Sequence, residues 1–332
     1  MAMDKNSIVY KALRWGSWPL LFAGCMGLTY WGDTKGALFL YFLYAYVFLG
    51  CMLAVLEYLM PHEAEWRKAD GQTAANILHT ISSKVPSAML LKYGGLIGLF
   101  EILKPIADPL EYGIWPRNWP IWVQVILAVY VAEFGLYWAH RLAHETPFLW
   151  RFHAIHHSVN RLWFINTGRF HFMDSVIKII PSLGLLIALG APLEVTQWLS
   201  AVTAFVGLMT HCNVDMKCGY LNYIFSTPEL HRWHHSRDLR EGNRNYGENI
   251  ILWDQIFGTY INPQDRRPPV DIGMGDFMPD KFWQQFLWPL IPNRLKQKIV
   301  PEFEPKPFGY EDDETRPVII KKSKTLGNEG QA

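Results

Sequence analysis

The most apolar stretch of the chain spans residues 37–60, where Glu57 is the only charged side chain in 24 positions. At a rise of about 1.5 Å per residue, a helix of this length crosses the roughly 30 Å hydrocarbon layer of a bilayer. Residues 119–139 form a second apolar stretch with Trp and Tyr at both ends, as is typical of the interfaces of a spanning helix. The pattern predicts a membrane-spanning helix in each stretch.

Weaker apolar stretches predict further helices. Residues 176–212 are long enough for two spans, separated by the helix-breaking run Gly190-Ala191-Pro192. Two shorter candidates lie at 18–31 and 85–103. We therefore expect an all-α integral membrane protein with roughly four to six transmembrane helices.

The apolar and polar stretches divide the chain into three parts. Residues 1–118 are expected to form a membrane scaffold, and residues 119–262 alternate apolar spans with polar, histidine-rich segments. Residues 263–332 are rich in Pro and charge, and we expect a peripheral tail whose end is disordered.

Histidine is concentrated in three short windows at residues 140–144, 153–157 and 231–235, which hold eight of the 12 histidines. The first window has i, i+4 spacing and the other two have i, i+3, i+4 spacing, so in a helix each window places its rings on one face. Histidine is the commonest metal ligand, and eight imidazoles are too many for one ion. The windows predict a site for two metal ions on a helical cap. The candidate ligands are His140, His144, His153, His156, His157, His231, His234 and His235.

The residue types limit the metal without identifying it. Imidazole-rich sites suit Zn, Cu, Fe or Ni. A structural zinc site often includes Cys, and Cys212 and Cys218 lie near His211, but their spacing is wider than the usual zinc motif. The Glu-x-x-His motif of soluble di-iron proteins is absent from the sequence. An all-histidine site beside membrane spans favours a pair of irons that activates oxygen next to a lipid.

Charge along the chain bears on partners and orientation. The formal net charge is +1, which gives no indication of a nucleic-acid partner. Arginines follow the span at 119–139 and surround the third window, and the positive-inside tendency places such loops in the cytoplasm. Six spans with a cytoplasmic N-terminus would put all three windows, and thus the active site, on that side.

The three histidine windows, in this order between apolar spans, resemble the fatty acid hydroxylase (sterol desaturase) superfamily. Three further segments are typical of the same superfamily. The resemblance covers about residues 120–262 and identifies 119–262 as a catalytic domain of that type. The three segments are Thr227–His231, Asn245–Gly247 and Trp253–Tyr260.

The resemblance implies that the eight clustered histidines bind two non-haem irons and that O2 is a substrate. It also implies that His211, shortly after an apolar span, is a ninth ligand. His171 is a tenth candidate, or it orients another group. Relatives often read Arg-Phe-His-Pro-Leu-Glu around this position, and this chain departs from that pattern at Phe172 and Asp174.

Carboxylates near the windows are candidate partners of the ligands, because metal-bound histidines usually donate their second N–H to a carboxylate or carbonyl. Glu145 is the best placed, directly after His144, and its alternative is an ordinary charge on a helix surface. The other candidates are Asp174, Asp215, Asp238 and Asp254.

Ionisable residues in or beside apolar spans are costly and therefore suggest function. Glu133 lies two helical turns before His140, where it would line the substrate path or support a ligand. We expect Lys92 and Lys178 to extend toward the lipid headgroups.

The leading hypothesis is an O2-dependent di-iron monooxygenase that hydroxylates a membrane lipid, located in a bacterial inner membrane. The alternative is a lipid or sterol desaturase, because both reactions begin with the same hydrogen abstraction. A third hypothesis is a metal-binding membrane protein without oxidative chemistry. A transporter would carry its ligands at the midplane of the spans, whereas these windows lie at or beyond the span ends.

The sequence contains no flavin or haem motif, so a separate reductase, a ferredoxin or a reduced pterin must supply electrons. The first two windows are similar to the alkylglycerol monooxygenase branch of the superfamily, whose enzymes use a reduced pterin. Bacterial members of similar shape and length include hydroxylases of polar lipids such as ornithine lipids.

Overall fold

The computed structural model describes residues 3–89 and 114–304, and its regular structure is helical. Within these ranges there is no β-strand, only isolated bridges such as Pro61–Val214, so the all-α expectation is confirmed there. Lys92, most of the predicted span at 85–103 and the predicted disordered end lie outside the described residues. The helices are α1 (Ile8–Asp33), α2 (Leu38–Leu59), α3 (Thr73–Met89), α4 (Ile121–Glu145), α5 (Pro147–His157), α6 (Phe172–Ala188), α7 (Leu193–Thr210), α8 (Pro228–His234), α9 (Leu239–Gly242), α10 (Leu252–Ile256), α11 (Phe282–Leu287) and α12 (Asn293–Ile299), with 3-10 turns at Glu65–Arg67, Phe164–Gly168, Gly219–Tyr223 and Trp288–Leu290.

Two of the described helices, α2 and α4, are long and apolar enough to cross a membrane. The most apolar part of α2 is only 17% buried, so this helix presents most of its apolar surface outward, as a lipid-facing helix does. Half of the corresponding part of α4 is buried, because this helix runs through the interior to the histidines. The helices α1, α6 and α7 contain 26, 17 and 18 residues, and a total of four to six spans stays a prediction.

The predicted break in the stretch 176–212 is confirmed. Helix α6 ends at Ala188, Gly190 adopts a left-handed φ of 81°, and α7 begins at Leu193 directly after Pro192. Glycine adopts this conformation without the steric cost of a β-carbon. Helices α6 and α7 each pack against α4, and His211 caps the C-terminus of α7.

Glu57 anchors two loops to helix α2. Its side chain is 9% exposed, and Oε1 accepts hydrogen bonds from the backbone N–H groups of Phe164 and Asn213, both at 2.9 Å. A buried carboxylate is tolerated when it is hydrogen-bonded in this way. Its role is to fix the segments that precede Asn166 and follow His211.

Helices α4 and α6 cross so closely that no side chain fits between their backbones. A β-carbon added to Gly135 would lie 2.6 to 2.7 Å from backbone atoms of Pro181 and Ser182. Small residues permit such close approach between helix backbones. The crossing fixes the position of the N-terminal half of α6 relative to the histidines of α4.

We expect Gly135→Ala to lower the free energy of unfolding by about 1–3 kcal/mol, because the added β-carbon forces α4 and α6 apart. Gly184→Ala, on α6, is the matched control, since a β-carbon there meets no atom within 4 Å. Thermal unfolding in detergent measures both variants. Equal midpoints for the two variants would contradict the close crossing.

The described part of the C-terminal tail packs against the rest of the chain. The N–H of Gly273 donates to the carbonyl oxygen of His235 at 3.0 Å. In α11, Oε1 of Gln285 lies 3.0 Å from Nε2 of buried His79. His79 is thus a hydrogen-bonded core residue, and the division of the chain into three parts stays a prediction.

Candidate metal centre

Four segments of the chain bring nine histidines to one buried region. Helix α4 carries the first window near its C-terminus, and α5 begins two residues after α4 ends, with Pro147 at its first position. Helix α8 begins directly after its capping residue Thr227 and carries the third window, with His235 as its C-cap. None of the nine rings is more than 6% exposed. The site contains the eight histidines of the windows and His211.

The nine histidines form two groups, and within each group the candidate ligand nitrogens lie within 4.8 Å of one another. Imidazole nitrogens bound at about 2.1 Å to one ion lie roughly 3–4 Å apart, so each group has the dimensions of a single-ion site. The first group is His140, His144, His153, His157 and His234, and the second group is His156, His211, His231 and His235.

The two H-x-x-H-H windows are each shared between the groups. In the second window, His153 and His157 join the first group, whereas His156 joins the second. In the third window the order is reversed, because His231 and His235 join the second group and His234 joins the first. Residues four positions apart therefore share a group, and the residue at i+3 belongs to the other, so one helix contributes to both sites.

The hydrogen bonds of the first group leave imidazole lone pairs directed at each other. Nδ1 of His140 lies 2.7 Å from the carbonyl oxygen of Tyr246, which can only accept, so His140 donates from Nδ1 and Nε2 keeps its lone pair. Nδ1 of His153 faces the carboxylate of Asp174 at 3.2 Å, which leaves its Nε2 bare in the same way. These two Nε2 atoms are only 3.0 Å apart. A cation between them removes the repulsion, so the donor set fits a metal ion.

The second group is oriented in a similar way. Nδ1 of His211 donates to Oδ1 of Asn166 at 2.9 Å. The amide orientation is fixed, because Nδ2 of Asn166 donates to the carbonyl oxygen of Arg161 and Oδ1 accepts from the N–H of Trp163. Nε2 of His211 therefore has its lone pair directed at Nε2 of His156, 3.3 Å away. This pair also fits a cation.

Burial keeps the imidazoles neutral, which is the form that binds metal. The pKa values of four histidines outside the spans are held well below the usual 6.5, first by burial and then by neighbouring histidines. Each of the four also has one buried ring nitrogen without a hydrogen-bond partner within the described part of the chain. They are His156, His157, His231 and His235.

The loop that supplies the Tyr246 carbonyl is held by two carboxylates. Asp254 accepts hydrogen bonds from the N–H groups of Tyr246 and Gly247, both at 2.8 Å, and burial raises its pKa to about 6. Glu133 of α4 accepts from the side chain of Asn249 at 2.6 Å and from two backbone N–H groups of the same loop. Glu133 thus positions a ligand-supporting loop, one of the two roles expected for it.

Two predicted site residues lie elsewhere. His171 belongs to neither group: it caps α6, its Nδ1 accepts from the N–H of Met173, and its Nε2 donates to the carbonyl oxygen of Phe286. With both nitrogens used, it has no lone pair to offer a metal. Glu145 forms an ion pair with Arg141 at 2.8 Å, and its side chain is 42% exposed. Glu145 is thus an ordinary charge on a helix surface, the alternative given for it in the sequence analysis.

The remaining carboxylate and cysteine candidates are also resolved by their contacts. Among the five carboxylates, Asp174 is the one in hydrogen-bonding distance of a histidine in the groups. Asp215 binds Tyr10 and Arg14, and Asp238 caps α9. Cys212 and Cys218 are buried, and neither belongs to the two histidine groups.

Sequence reasoning missed most partners of the ligands, because they are amides and backbone carbonyls. Oδ1 of Asn243 lies 3.2 Å from Nδ1 of His144. Nδ1 of His234 donates to the carbonyl oxygen of Arg244 at 2.8 Å. Any residue type can supply a backbone carbonyl, so the sequence does not reveal these partners. The Asn245–Gly247 motif nevertheless lies in the loop that supplies the carbonyls of Arg244 and Tyr246. There Asn245 takes a positive φ of 54° and bonds the backbone at Leu230 and Ile261.

Comparison with known proteins agrees with this geometry. A sequence model described as fatty acid hydroxylase matches residues 125–259, which include every histidine of both groups. The chain is 45% identical over 303 residues to the ornithine lipid hydroxylase OlsE of Rhizobium tropici, covering 90% of each chain.

Two more distant relatives match a shorter region. The human alkylglycerol monooxygenase is 33% identical over 148 residues, which is 44% of this chain and 32% of that enzyme. The fatty acid hydroxylase vlmA of a Lecanicillium species is 27% identical over 209 residues, 57% of this chain and 53% of the relative. No solved structure matches the chain.

Proposed function

Because this chain belongs to the fatty acid hydroxylase family, whose relatives are lipid hydroxylases and monooxygenases, we propose that it is a di-iron enzyme that inserts one oxygen atom of O2 into a C–H bond of a membrane lipid. The observation that carries the proposal is the pair of histidine groups, each with the size of a single-ion site and with ring nitrogens that approach to 3.0 Å in the first group and 3.3 Å in the second. The nine histidines would hold two irons.

Two non-haem irons, when bound, supply the activation of O2 that oxidation of an unactivated C–H bond requires. The residues of the chain hold the site and exclude water from it. The rings are buried, and hydrogen bonds fix their tautomers so that Nε2 of His140, His153 and His211 points inward. Electrons come from an external donor, which we propose to be a reductase, a ferredoxin or a reduced pterin.

The relatives support a lipid substrate, and the one matched over most of its length supports a polar lipid of the ornithine type. We place the enzyme in the bacterial inner membrane with the histidine groups at the cytoplasmic face. The apolar, outward-facing surface of α2 and the arginines around the third window support this placement.

Comparative lipid mass spectrometry of a deletion strain and its complemented strain tests the reaction. We expect one class of polar lipid to lose the mass of one oxygen atom in the deletion strain and to regain it on complementation. A gain of two hydrogen masses instead would identify the desaturase alternative. Identical lipid profiles under oxygen, with the complementing protein present in the membrane, would contradict lipid oxidation altogether.

A further inference from the structure

A cluster of charged side chains lies directly beside the first histidine group. Nζ of Lys178, on α6, is 2.7 Å from Oε1 of Glu248 and 3.6 Å from Oδ2 of Asp174. Asp174 faces His153, and Oε1 of Glu248 lies 3.8 Å from Nδ1 of His140. The side chain of Lys178 is 6% exposed, so the expectation that it extends to the headgroups is wrong. It points inward, and two carboxylates balance its charge.

Phe170 connects this cluster to the second histidine group. One face of its ring stacks on His156, with ring centroids 4.3 Å apart and planes 8° apart. Two ammonium groups lie over the ring, Nζ of Lys178 at 4.6 Å and Nζ of Lys84 at 5.6 Å from its centroid. Because the His156 ring covers one face, both lysines must share the other. Two cations therefore converge one aromatic ring away from a candidate metal ligand.

Lys84 differs from Lys178 in its surroundings. It is exposed, and within the described residues no carboxylate hydrogen-bonds to it, while Asp174 and Glu248 act on it only through space. Those two carboxylates already pair with Lys178. The cluster therefore has one ammonium without a contact partner of opposite charge within the described residues. Such a group attracts an anion.

We propose that Lys84, with Lys178 and the face of Phe170, binds the oxyanion of a lipid head group, either a carboxylate or a phosphate. The inference rests on the proposed function, because it assigns the head-group subsite of the same active site. A bound oxyanion accepts charge-assisted hydrogen bonds from Lys84 and interacts favourably with Lys178. Since one ring separates this subsite from His156, the oxidised carbon lies close to the head group rather than far along an acyl chain.

The test compares an ornithine lipid with its methyl ester, which lacks the carboxylate charge. For wild-type protein we expect kcat/KM for the acid to exceed that for the ester by about tenfold or more, mainly through KM. Lys84→Gln should reduce kcat/KM for the acid to the value for the ester and leave kcat/KM for the ester unchanged. Lys84→Arg should restore the preference for the acid. Lys298→Gln, at an exposed lysine on α12, is the matched control and should behave as wild type.

Binding of the same lipids to metal-free protein, followed by tryptophan fluorescence, separates the two proposals. Preferential binding of the acid that Lys84→Gln removes, without any oxidation, would support the subsite and contradict the proposed function. Oxidation of both lipids with equal effects of Lys84→Gln, or with none, would overturn the subsite and leave the function standing. Phosphatidic acid, added as a competitor of the ornithine lipid, distinguishes a phosphate from a carboxylate. A subsite for phosphate lets phosphatidic acid displace the ornithine lipid, and Lys84→Gln removes this competition. A subsite for carboxylate leaves the ornithine lipid bound.

Discussion

His234→Ala is expected to abolish lipid oxidation, with a fall in turnover of more than about a hundredfold, because it removes a proposed ligand from the first histidine group. His234 is fully buried, and its Nδ1 donates to the carbonyl oxygen of Arg244, so its Nε2 is the atom directed into the group. Iron content should fall together with activity. Turnover with a saturating electron donor and iron per chain are the two measurements.

His171 provides the matched control for this experiment. It follows the second window in the sequence but caps α6 and belongs to neither group. In His171→Asn the new side chain can still cap the helix, since Asn is a favoured N-cap residue. This variant should keep the iron content of the wild type. Loss of iron in His171→Asn, or full iron and activity in His234→Ala, would contradict the two-group arrangement.

Asp174→Asn is expected to weaken metal retention by about 10–100-fold, because the carboxylate orients His153 and stabilises the N–H that it donates. The substitution keeps the shape of the side chain but removes the charge that also pairs with Lys178. Iron loss during dialysis against a weak chelator measures the effect. A circular dichroism spectrum identical to that of the wild type shows that α6 is intact.

Glu145→Gln is the corresponding control, because Glu145 is the carboxylate that the sequence favoured. It is exposed and paired with Arg141, so its replacement should change metal retention by less than about twofold. If Glu145→Gln loses iron and Asp174→Asn does not, the hydrogen-bond assignment of His153 is wrong.

The histidine windows could be predicted as one site because helical spacing directly determines which rings lie together. His140 and His144 are four residues apart and share a group, as their spacing indicates. The same rule misses the division of the other windows, since His156 and His234 project to the opposite group from their neighbours. That division depends on how α5 packs against α4 and α8 against α7, and helical periodicity alone carries no information on packing angles.

The supporting residues were harder to predict for two different reasons. Proximity in sequence favoured Glu145, yet the helix directs it outward, whereas Asp174 reaches His153 across 21 positions. Other partners are backbone carbonyls, such as that of Tyr246, which any residue type supplies. A lysine in an apolar stretch usually extends to the interface. Lys178 instead stays in the interior, where Asp174, one turn earlier on the same helix, and Glu248 from a later loop stabilise it.

The central claim is that one chain binds two irons, one in each histidine group. The most direct test is the number of irons per chain after anaerobic reconstitution with ferrous iron and removal of unbound metal, measured by elemental analysis of the wild-type protein. The two groups predict two irons per chain, with both lost when the imidazoles are protonated. A saturating value of one iron per chain, or zinc retained in place of iron by an active enzyme, would contradict it.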